Sequence, residues 1–81
     1  PPLVIFPTGT TNNNTVTVIL SSGASAYDYS INTGGTFTGG TGSSFTLPDD
    51  TYDIDKIQVR NSDVAGNVSL GGNVTVKGDV Q

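Results

Sequence analysis

Asn61-Ser62-Asp63-Val64-Ala65-Gly66-Asn67-Val68-Ser69 joins two β-like segments through a polar stretch that contains one glycine. Ahead of it, residues 54–60 place Ile57 and Val59 on one face and Lys56, Gln58 and Arg60 on the other. Such period-two alternation belongs to a strand with one buried side. Behind it, Val68 opens a second run that continues to Val76. Asp63 and Asn67 have short side chains that accept backbone N–H groups as Asx turns, and Gly66 takes positive φ at no steric cost. The stretch therefore reads as a tight, self-bonded connection between neighbouring strands.

The rest of the chain is read by the same alternation. Residues 3–6, Leu-Val-Ile-Phe, sit between Pro2 and Pro7 and are expected as an edge strand, since proline is tolerated there. Residues 8–14 are expected as a polar loop. Residues 15–20 carry Val16, Val18 and Leu20 on one face, and residues 26–31 carry Tyr27, Tyr29 and Ile31, with Asp28 and Ser30 opposite. Residues 36–38 suggest a short strand between two glycine-rich turns. Residues 43–47 place Phe45 and Leu47 inward, Pro48 ends that strand, and residues 49–53 form a corner. The run 68–76 is interrupted by Gly71-Gly72, which is expected as a bulge or kink in an edge strand. The inward set is then Ile5, Val16, Val18, Leu20, Tyr27, Tyr29, Ile31, Phe45, Leu47, Tyr52, Ile57, Val59, Val74 and Val76.

Helical periodicity is absent. About seven short strands at ~8–12-residue spacing predict an all-β fold, an antiparallel sandwich of Greek-key type in which residues 1–81 form a single domain. A domain this small buries only ~60–65% of the surface of its unfolded chain. It has no Cys for a disulfide, so help is expected from a metal or from neighbouring domains. The opening Pro1-Pro2, without an initiator Met, suggests one piece of a longer polypeptide.

Composition narrows function. With neither His nor Cys, the commonest general base and the thiol nucleophile are both missing. The net charge is −4 and Lys56, Arg60 and Lys77 form no cluster, which argues against nucleic acid. The longest apolar runs are far too short to span a bilayer as a helix. All seven acidic residues are Asp, which suits turns and hard, oxygen-ligated cations.

The second half of the chain resembles a known family. Leu47-Pro48-Asp49-Asp50-Thr51-Tyr52 is similar to the L-x-D-G-T-Y corner of bacterial immunoglobulin-like repeats. Ile57-Gln58-Val59-Arg60, followed by Ser62-Asp63-Val64-Ala65-Gly66-Asn67-Val68-Ser69, is similar to their I-x-V…D-x-A-G-N-x-S closure. The resemblance covers residues 45–76. Asp50 stands where the family usually has Gly, so this position is expected in a left-handed conformation, which Asp tolerates better than most residues. Tyr52 resembles the tyrosine corner, a buried ring whose hydroxyl bonds to nearby backbone.

The resemblance implies an immunoglobulin-like sandwich that acts as a non-catalytic extender repeat of a large bacterial surface or secreted adhesin, outside the cell, with neighbouring repeats as its partners. It also implies calcium at the joints between repeats. In such a sandwich Asp49, Asp50, Asp53, Asp55 and Asp79 are expected at one pole, and Asp63 with Asn67 at the other. Stacked head to tail, the two sets approach the six to eight oxygens that calcium takes. The same residues also suit plain solvated turns. No small-molecule substrate is expected; a glycosidase carboxylate pair drawn from Asp28, Asp53 and Asp55 is the enzymatic alternative, and a sandwich of 81 residues has little room for its cleft. An accessory carbohydrate- or protein-binding module is the main alternative, with Phe37 as its best exposed aromatic. Asn67 and Asn73 lie in N-x-S/T sequons.

Overall fold

The computed structural model describes residues 2–20, 24–62 and 68–79. These contain ten strands and no helix: β1 Leu3–Ile5, β2 Gly9–Thr11, β3 Thr15–Ile19, β4 Tyr27–Ser30, β5 Thr38–Gly39, β6 Ser44–Thr46, β7 Asp50–Tyr52, β8 Ile57–Asn61, β9 Ser69–Gly71 and β10 Val74–Val76. They form three sheets, ordered β1-β3-β6, β2-β10-β7 and β5-β4-β8-β9. Every pairing is antiparallel except β2 with β10, which is parallel. The Asp63–Asn67 connection lies outside the described residues.

One apolar core draws on all three sheets: Val16, Val18, Tyr27, Phe45, Leu47, Tyr52, Ile57, Val59, Val74 and Val76 are buried. All ten belong to the inward set read from alternation. Leu20, Tyr29 and Ile31 pack against the core while partly exposed. The Tyr29 and Phe45 rings stack 4.0 Å apart. Buried Tyr27 satisfies its hydroxyl by sharing its one proton between the Thr41 and Ser44 carbonyls, each 3.1 Å away.

The first strand faces the other way from expectation. Ile5 is 59% exposed, while Val4 and Phe6 pack on the core. The register decides this: Val4 lies opposite Val18, which points inward, so Leu3 and Ile5 must point out. Four consecutive apolar residues carry no parity of their own.

Residues 8–14 are not all loop. Gly9, Thr10 and Thr11 pair in parallel with Val74, Thr75 and Val76. Likewise the 49–53 corner contains β7, which pairs with the opposite side of β10. Pairing with Val76 holds Asp50 extended. Among the described residues, the non-glycine ones with positive φ are instead Thr33, Asp55 and Asn73, at 64°, 65° and 57°. Asp55 separates the exposed Ile54 from β8, so that strand begins at Ile57.

Ser30, expected outward, is 1% exposed. Its hydroxyl donates to Asn32 Oδ1 at 2.7 Å and accepts the Asn32 and Gly34 N–H groups at 3.2 and 2.9 Å. A buried hydroxyl with all these partners carries little desolvation penalty.

Gly71-Gly72 is a crossing between sheets. β9 before it pairs with β8, whereas β10 after it is the central strand between β2 and β7. A Cβ on Gly71 would lie 2.4 Å from the Phe6 ring. Gly72 has φ +150°, and a Cβ there would lie 2.0 Å from the Asp53 carbonyl oxygen. Only glycine fits that backbone path.

Candidate functional site

Asp49 and Asp50 stand where the chain enters β7, and Gly78 and Asp79 where it leaves β10. Antiparallel pairing of Asp50 with Val76 brings these two places together. Between them lies an open groove of about 710 Å³, lined by Asp49, Asp50, Thr51, Thr75, Lys77 and Asp79 among others. Asp49 Oδ2 accepts the Gly78 N–H at 2.9 Å, tying the outgoing chain to this corner. Asp50 Oδ1 accepts the Thr51 N–H at 2.8 Å, and the Thr51 and Thr75 hydroxyls bond across the strands at 3.1 Å.

Tyr52 lies beneath this corner, 2% exposed, and its hydroxyl donates to the Pro48 carbonyl at 2.7 Å. Burial raises its pKa above 10.0, and the negative charges of Asp50 and Asp49 add to the shift.

Asp53 and Asp55 lie beyond the other end of β7. Asp53 contributes its carbonyl to the Gly72 crossing and to the Lys56 N–H at 3.1 Å. A three-residue strand, roughly 10 Å long, thus separates them from Asp49 and Asp50. Among the described residues, no three of His, Cys, Asp or Glu gather closely enough to hold a metal ion. Asp63 and Asn67 lie outside the described residues.

The two ends of the domain are defined by these contacts. The incoming chain is held beside β9, where Ser69 Oγ donates to the Pro2 carbonyl. The outgoing chain is held beside Asp49. The run from β9 through β10 therefore connects the place where the incoming chain is held to the place where the outgoing chain is held.

Phe37 is not an open platform. The Arg60 guanidinium lies 3.9 Å over its ring, and Arg60 Nε donates to Asp28 Oδ2 at 3.2 Å. Asp28 and Arg60 are directly paired across β4 and β8, both outward. Their shared outward parity was visible in the sequence; the strand pairing that makes them neighbours was not. Asp28 pairs with Arg60, toward the end of β8 away from the loop that carries Asp53 and Asp55.

No protein-family model matches the chain, and comparison with curated proteins and with solved structures gives no match either.

Proposed function

We propose that this chain is an immunoglobulin-like β-sandwich serving as a non-catalytic extender repeat of a bacterial surface or secreted adhesin. The observation that carries this reading is the parallel pairing of β2 with β10, the strand nearest the outgoing end. In parallel strands, tension applied at the two chain ends pulls β2 toward its start and β10 toward its finish. Their hydrogen bonds are then sheared together instead of peeled singly. The Lys77 N–H to Thr11 carbonyl bond, 2.9 Å, extends the same ladder. The buried Tyr52 corner, where the hydroxyl meets the Pro48 carbonyl, also supports the reading.

Calcium belongs to this proposal at the joint between repeats. Asp49, Asp50 and Asp79 form an exit-side set of carboxylates, too few and too dispersed for the six to eight oxygens of a complete site. Asp63 and Asn67 of a following repeat would supply the rest. In this reading the domain acts outside the cell, and its partners are its neighbours in the polypeptide.

The test is force spectroscopy on a polyprotein of this domain. A discrete unfolding peak at each extension step is expected. Featureless extension at low force refutes the load-bearing role.

A further inference from the structure

We draw no further inference here: the strongest candidate, the open groove between the start of β7 and the end of β10 lined by Asp49, Asp50, Lys77 and Asp79, belongs to the site already described, and nothing among the described residues shows what else its acidic side chains would bind.

Discussion

The Tyr52 hydroxyl donates to the carbonyl of Pro48, four residues upstream, across 2.7 Å. That bond closes the corner between β6 and β7 while the ring fills the core. Tyr52→Phe keeps the ring and removes the donor, so it should cost about 1 kcal/mol. In a domain of this size that is a fall in melting temperature of roughly 4–8 °C. Calorimetry on the parent and the variant checks it.

Alkaline pH should destabilise the fold through two tyrosines. Burial raises the pKa of Tyr27, with a contribution from Tyr29, and burial raises that of Tyr52, with contributions from Asp50 and Asp49. In the unfolded chain both hydroxyls ionise near pH 10. Above that pH the unfolded state binds fewer protons than the native state, so stability falls as pH rises. Stability from these groups is complete below about pH 10 and is lost as pH climbs through their native values. Urea midpoints from about pH 9 to pH 11 should show this decline, and Tyr52→Phe should make it shallower.

The crossing at Gly72 should tolerate no side chain. With φ +150° and the Asp53 carbonyl 2.0 Å from a Cβ, Gly72→Ala combines backbone strain with a backbone clash. A loss of at least ~2 kcal/mol is expected. Gly39 has open space at its Cβ position, so Gly39→Ala should stay within about 0.5 kcal/mol of the parent. Equal denaturation midpoints for the two variants would contradict this account of the crossing.

The terminal ladder should set mechanical strength. Lys77→Pro deletes the N–H that bonds the Thr11 carbonyl at 2.9 Å. Lys77 is exposed, so equilibrium stability should fall modestly, by about 0.5–1.5 kcal/mol. Pulling experiments should show a lower unfolding force for the variant, because one fewer bond shares the shear.

Calcium should act on a joint more than on a single domain. A protein of two domains in tandem is expected to melt higher in millimolar calcium than in EDTA, and Asp49→Asn with Asp79→Asn should remove the difference. Coincident melts of the tandem protein in both solutions would discard the interdomain site.

Sequence alternation found the core because burial follows the strand period. Val16 and Val18, Phe45, Ile57 and Val59 each sit between outward neighbours, so their side was readable in isolation. It failed at residues 3–6, where apolar side chains occupy both faces and only pairing with Val18 chooses between them. Ser30 was misplaced for a related reason. Its polarity argued for solvent, and its partners in Asn32 and Gly34 exist only once the turn has formed.

The candidate site divides in the same way. The Asp-rich 49–55 stretch and its turn character were legible, since Asp favours such positions locally. Which of them share an end was legible only in part: the resemblance put Asp49, Asp50, Asp53, Asp55 and Asp79 at one pole, and the structure keeps Asp49, Asp50 and Asp79 together but sets Asp53 and Asp55 apart. Asp49 meets Gly78, and Asp53 is carried to the Gly72 crossing, because β10 lies between β2 and β7. Local propensity and period-two patterning are properties of neighbouring residues, and the sequence by itself determined these: an all-β chain, the buried members of most strands, and a buried Tyr52. Register, the parallel β2–β10 pair and the separation of Asp53 and Asp55 from Asp49 depend on contacts between residues far apart in the chain. Those were decided only by the tertiary structure, where burying one shared core selects among pairings that the local sequence leaves equal.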